Sequence, residues 1–164
     1  MKESTIKLLK EAGWYPNRKI DITELVVDYE KNGFEMFHAA KSFIEEYGGL
    51  DINLSKKRPG VSEDYIEKFE LKKFTLHTTN MTEYIIKGLT RDYVNEYEEE
   101  YIEEKLVAVG ILADGHATLM ISESGKMFTE YGFYGNSPEE FWDRLLNYDL
   151  ATGWVEWLVS ETSG

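Results

Sequence analysis

The chain of 164 residues contains no cysteine. That absence removes disulfide frameworks, thiolate nucleophiles and every cysteine-based metal site, and it fits a reducing compartment. Histidine is scarce too: His38, His77 and His116 stand alone, with no HExxH pattern and no pair at metal-ligand spacing. His38 falls on the polar side of a predicted helix and His116 in a hairpin turn, so both read as surface residues, and neither metal nor cofactor is expected. The glycines fall at turns and never in the order G-x-G-x-x-G or G-x-x-x-x-G-K-[ST], which leaves no phosphate cradle. No run of ~18 apolar residues offers a membrane span, and the opening MKESTIKLLKEAGW has no apolar stretch of signal-peptide length. A cytoplasmic protein without membrane contact is expected.

Basic residues are also few, 18 against 31 acidic ones, for a net charge of −13. Such a charge repels nucleic acid and anionic membranes and speeds encounter with cationic partners. The chain is nonetheless equipped to fold. Its 42% hydrophobic content includes 11 Tyr, 8 Phe and 4 Trp, far above the disordered regime, and its length suits one domain.

Periodicity and punctuation predict the elements. A first helix over Ser4 to Ala12 turns Ile6, Leu8, Leu9 and Ala12 to one face and ends at Gly13. WYPNR follows, with Pro16 and Asn17 at the centre of a turn, Asn tolerating the left-handed conformation. Asp21 and Glu24 have capping-box spacing for a second helix that stops at Asn32-Gly33. A third, Glu35 to Tyr47, presents Met36, Phe37, Ala39, Ala40, Phe43, Ile44 and Tyr47 inward and is stopped by Gly48-Gly49. KFELKKFTLHT alternates as a strand would. LVAVGILADGHATLMISESGKMFTEYG reads as a β-meander with turns at Asp114-Gly115 and Ser124-Gly125. In SPEEFWDRLLNY, Ser137 is an N-cap, Pro138 the first helical residue and Glu140 the capping-box partner, with Phe141, Trp142, Leu145 and Tyr148 inward. Trp154 and Trp157 of the tail are expected to pack back on the body.

The most unusual stretch is NEYEEEYIEEK, which holds Glu96, Glu98, Glu99, Glu100, Glu103 and Glu104 with no basic residue among them. Read as helix, it sets Glu96 with Glu100, Glu99 with Glu103 and Glu100 with Glu104 one turn apart, each pair costing ~0.2 to 0.5 kcal/mol. It also crowds carboxylates at a helix C-terminus, where the macrodipole favours cations. A stripe of Leu89, Tyr93, Tyr97 and Tyr101 would dock this helix and present the acids outward. A locally costly run of this kind is either a solvated face or a surface with a use elsewhere.

No catalytic constellation accompanies it. Ser124 in SESGK lacks the glycine two residues before that a nucleophile elbow needs. A carboxylate pair suited to hydrolysis depends on a separation that only the fold sets, so a small hydrolase stays open as an alternative, as does a general acidic interaction module.

EAGWYPNRKIDI, FIEEYGGLDI, VGILADGHATLMISESGKMFTEYGFYG and SPEEFWDRLL, in that order and spacing, resemble the third group of SUKH-superfamily immunity proteins, bacterial proteins that protect a cell from polymorphic toxins. The resemblance rests on Gly13, Trp14, Pro16 and Arg18, on Glu46 to Leu50 with Gly48 and Gly49, and on the strand-turn-strand containing Gly125 that leads to a capped helix. It is weakest between Lys56 and Tyr101. The family favours glycine after the proline, where this chain has Asn17, the next best residue for a left-handed turn position.

The resemblance implies a single SUKH-like immunity domain over residues 1–164. Its fold would be α+β, helices packed on a mixed or antiparallel sheet, with a C-terminal β-meander followed by a capped helix. It further implies no enzymatic activity and a cognate toxin, often a nuclease, as partner. A nuclease needs a basic surface for phosphates, which an acidic inhibitor could occupy by stoichiometric protein–protein occlusion. The six glutamates are then the candidate toxin-binding residues, and Gly13, Trp14, Pro16, Arg18, Gly48, Gly49 and Gly125 are structural. The protein is expected as a monomer or weak dimer, and the toxin's surface as basic.

Overall fold

A computed structural model describes residues 1–53, 75–78, 91–112, 117–130 and 132–146. Three amphipathic helices come first: α1 (Glu3–Glu11), α2 (Thr23–Lys31) and α3 (His38–Tyr47). After β1 (Asp51–Asn53) and β2 (Thr75–His77) come a short helix, α4 (Arg91–Tyr97), and a π-helical turn over Glu98–Ile102. The chain then runs through β3 (Leu106–Leu112), β4 (Ala117–Ser122), β5 (Met127–Thr129) and β6 (Gly132–Gly135) into α5 (Pro138–Leu146). Among the described residues the six strands form one sheet in sequence order, each antiparallel to its neighbours. The fold is α+β, with the expected β-meander leading into a capped helix.

Local chemistry explains the helix ends. Gly13, with φ +108°, donates its N–H to Lys10 O while the Trp14 N–H reaches back to Leu9 O. Gly33, with φ +89°, and Phe34 repeat the pattern on Glu30 O and Tyr29 O. Both are left-handed C-caps that glycine adopts without a Cβ penalty, and in each the following aromatic folds onto the helix it closes. The Tyr29 and Phe34 rings accordingly meet edge to face, 5.5 Å apart. Asn17, with φ 64°, occupies the left-handed position of a turn closed by Arg18 N–H to Tyr15 O, as the sequence predicts. At α5, Ser137 Oγ accepts the Glu140 N–H, and the Glu140 carboxylate accepts the N–H of Asn136, one residue before the cap.

Two helix starts differ from the sequence reading. Asp21 accepts from the N–H and hydroxyl of Thr23, so it stands one residue ahead of the Ile22 cap and forms a side-chain turn in place of the capping box. Helix α3 begins at His38, three residues later than the periodicity implies, because Phe34 and Met36 are buried from a non-helical segment, tightened by the Phe37 N–H on Glu35 O, that reaches the N-cap Phe37 at ψ 167°. Helix α1 has no side-chain cap of its own. Asp143 of α5 supplies one from outside, accepting the Lys2 N–H at 2.9 Å and the Thr5 hydroxyl at 2.7 Å, which pins α1 to α5.

Helix α3 packs on β3 and β4, α4 on β3, and α5 on β6 and α1. Residues Leu106 to Val109 of β3 are all buried, as in a strand covered on both faces. The ladder between β3 and β4 slips between Ala108 and Gly110, and the buried Tyr29 hydroxyl donates to the Ala108 carbonyl at 2.6 Å beside that irregularity. The core's aromatic centre joins Trp14, Phe43, Tyr47, Phe141 and Trp142, with Phe43 and Trp142 stacked at 6.2 Å and Tyr47 tilted against Trp142 at 5.2 Å.

Parts of the sequence reading lie outside the described residues: positions 68–74 of the alternating segment, Leu89, the Asp114-Gly115 turn with His116, Tyr148, Trp154 and Trp157. Residues 75–77 of the alternating segment form β2. Among the described residues no helix is long and apolar enough to cross a membrane.

Candidate functional site

The acidic run does not continue as α-helix. Helix α4 stops at Tyr97, and Glu98–Ile102 widen into a π-turn closed by Glu103 N–H to Glu98 O at 2.9 Å. Glu103 itself is left-handed, φ 59° and ψ 21°. The one-turn spacing of Glu99 with Glu103 and of Glu100 with Glu104 is therefore lost, because the chain leaves α geometry before those pairs can stack on one face. Val94 and Ile102 are buried, and the half-buried rings of Tyr93 and Tyr97 meet at 5.5 Å. Burial, reinforced by Tyr97 and Glu130, holds the Tyr93 hydroxyl well above the ordinary tyrosine pKa. This apolar base docks the segment.

The glutamates then divide. The Glu98 carboxylate accepts the Leu106 N–H at 2.6 Å, ahead of β3, and the Glu104 carboxylate accepts the Ser124 N–H at 2.9 Å, in the β4–β5 turn. Between them the Lys105 ammonium pairs with Glu35, which raises its pKa. Glu96, Glu99 and Glu103 are exposed. The backbone of Glu100 belongs to the π-turn. What sequence reasoning treats as one face is thus a surface of outward acids held in place by two inward ones. The anchors join residues 8 and 20 positions apart in sequence, and no local pattern announces them.

Left-handed glutamate is strained relative to glycine, since its Cβ crowds the following carbonyl. Glu103→Gly is expected to raise stability by about 0.5 to 1 kcal/mol, readable as a higher denaturant midpoint at unchanged slope.

The residues expected to be structural converge at a different place, the C-terminal end of α3. The Arg18 guanidinium donates to the Glu46 carbonyl at 2.7 Å. Gly48 approaches the helix so closely that a Cβ there would lie 2.5 Å from Ile44 O. Gly49 N–H bonds to Thr78 O. Gly13 and Trp14 close α1 beside this joint, with Trp14 stacked on Tyr47 at 6.4 Å, while Pro16 sits in the turn before Arg18 and Gly125 in the β4–β5 turn. Sequence reasoning missed Thr78, the buried residue that ties the joint together. Its hydroxyl donates to Tyr47 O at 2.6 Å and accepts the Leu50 N–H at 2.8 Å.

His38 is exposed on α3 and the backbone of His77 lies in β2. Among the described residues no group of three or more His, Asp or Glu side chains is placed to hold a metal.

The family model of the SUKH-3 immunity proteins matches residues 1–148. The chain belongs to the SUKH-3 immunity protein family. Comparison with the curated proteins and with the solved structures returned no match. The SUKH-3 match takes in the α3 joint, the acidic π-turn, the meander and α5.

Proposed function

We propose that this chain is the immunity protein of a bacterial polymorphic toxin and neutralises it by stoichiometric occlusion in the cytoplasm, without catalysis of its own. The SUKH-3 family match over residues 1–148 carries the reading. The toxin partner is a nuclease with a basic surface, because a surface that grips phosphates is the natural complement of a chain of net charge −13. Glu96, Glu99 and Glu103, which are exposed, together with Glu100 are the residues assigned to the contact that steers encounter, while Glu98 and Glu104 hold the shape of the segment. Rim charges of this kind act chiefly on association rate.

Co-expression tests the proposal. The protein should rescue cells from one toxin, the one encoded beside it, and leave unrelated toxins lethal, since discrimination depends on matched shape and charge at one interface. Rescue from every toxin tried, or failure to rescue from the adjacent one, would contradict it.

A further inference from the structure

Glu98 and Glu104 fasten the far end of the acidic segment to the sheet. Its near end is α4, which carries Glu96 and leads into the π-turn, so the way α4 is turned decides where Glu96 points and where the π-turn starts. Val94 is fully buried, and the Tyr93 and Tyr97 rings pack half-buried against the core. Apolar burial is non-directional. It sets how deep the helix sits and leaves its rotation to groups that demand an angle, as hydrogen bonds do.

Glu130, in the β5–β6 turn, is such a group. Both of its carboxylate oxygens accept the Thr118 N–H, at 2.7 and 3.0 Å, which ties that turn to β4. Thr118 pairs with Ile111 of β3, the strand on which α4 packs. The Tyr93 hydroxyl hydrogen-bonds to Glu130 and to Tyr97, and the two tyrosine rings meet edge to face at 5.5 Å. A carboxylate has about four lone-pair sites, so Glu130 serves strand and helix at once. A row of polar groups thus runs from Tyr97 and Tyr93 on α4 through Glu130 to the backbone of β4.

Glu130 adds a negative charge to a chain that already stands at −13, and it is half-buried, where a charge is more costly than at the surface. Its contribution there is acceptor capacity. It faces inward to the Thr118 N–H, unlike the exposed Glu96, Glu99 and Glu103.

We propose that Glu130 is a positioning residue for the toxin-contact surface: through the Tyr93 hydroxyl it fixes the rotation of α4 on the sheet, and so holds Glu96 and the π-turn in the arrangement the toxin meets. The part played by the toxin rests on the immunity reading above. A surface held ready binds without first being ordered, so loosening α4 shortens the life of the complex, while the charges that steer encounter stay in place.

Three variants of the full-length protein separate positioning from charge and from folding. Tyr93→Phe removes one oxygen and no charge. Glu130→Gln and Glu130→Ala remove the same charge, but glutamine keeps an acceptor for the Thr118 N–H and the Tyr93 hydroxyl, and alanine keeps none. Hydrogen exchange of the free protein at residues 91–102 should rise about 3- to 10-fold in Tyr93→Phe and in Glu130→Ala, as for the loss of one hydrogen bond. The β3 amides should keep wild-type rates in Tyr93→Phe, and Glu130→Gln should stay close to wild type throughout. With the toxin against which the wild type protects as the binding probe, Tyr93→Phe and Glu130→Ala should dissociate about 3- to 10-fold faster, and Tyr93→Phe should keep the wild-type salt dependence of association. Exchange in Tyr93→Phe that rises over all of the sheet or not at all, or Glu130→Gln behaving as Glu130→Ala does, would overturn the proposal. So would unchanged dissociation of Tyr93→Phe while the wild type still protects, an outcome that leaves the immunity function standing. A wild type that protects against no toxin would instead overturn the immunity reading and, with it, the role of α4 in binding, even where the exchange pattern holds.

Discussion

Truncating Trp14 to alanine lowers folding stability by ~3 to 5 kcal/mol, the usual cost of deleting a buried tryptophan. Trp14 closes α1, stacks on Tyr47 and joins the aromatic centre that Trp142 shares. Its indole N–H has no hydrogen-bond partner among the described residues, so the loss is packing alone, without a broken hydrogen bond. Trp14→Phe should for that reason recover much of the stability, since it refills part of the volume and removes the unpaired donor. Chemical denaturation of both variants checks this. An alanine variant with the wild-type midpoint would mean that Trp14 does not close the core.

Glu98→Ala is expected to cost about 1.5 to 3 kcal/mol, because it strips a charged acceptor from the N–H of Leu106, a residue 1% exposed at the entry to β3. Glu96→Gln and Glu99→Gln, by contrast, should leave stability within ~0.5 kcal/mol, as exposed substitutions usually do. The contrast within one run of like residues is the point. If the run were a uniform solvated face, all three substitutions would behave alike in a thermal melt.

That contrast also marks where sequence stops being informative. The C-caps at Gly13 and Gly33, the left-handed Asn17 and the Ser137 cap are local bargains among a few neighbouring residues, and each was readable. The β-meander was readable because its Ser124-Gly125 turn and apolar strands are also local. The break at Tyr97 was not. Composition through Asn95 to Lys105 favours continued α-helix, but the Glu98–Leu106, Glu104–Ser124 and Lys105–Glu35 contacts reach beyond any helical window, and tertiary pairing overrode propensity. The start of α3 failed for the same reason, Phe34 and Met36 being buried by the core from a non-helical backbone. Thr78 was invisible because its partners Tyr47 and Leu50 lie 31 and 28 residues away. For the candidate surface, sequence supplied the residues as a set, and only the fold separates anchors from outward acids.

Association kinetics with the toxin that the proposed function assigns as partner test the central claim most directly, using a variant with Glu96, Glu99 and Glu103 replaced by glutamine, at low and at physiological salt. The account predicts an intact fold and a slowed association at low salt. The difference should shrink as salt rises and the screening length falls to ~8 Å. Association and dissociation rates equal to those of the wild type at low salt would contradict it.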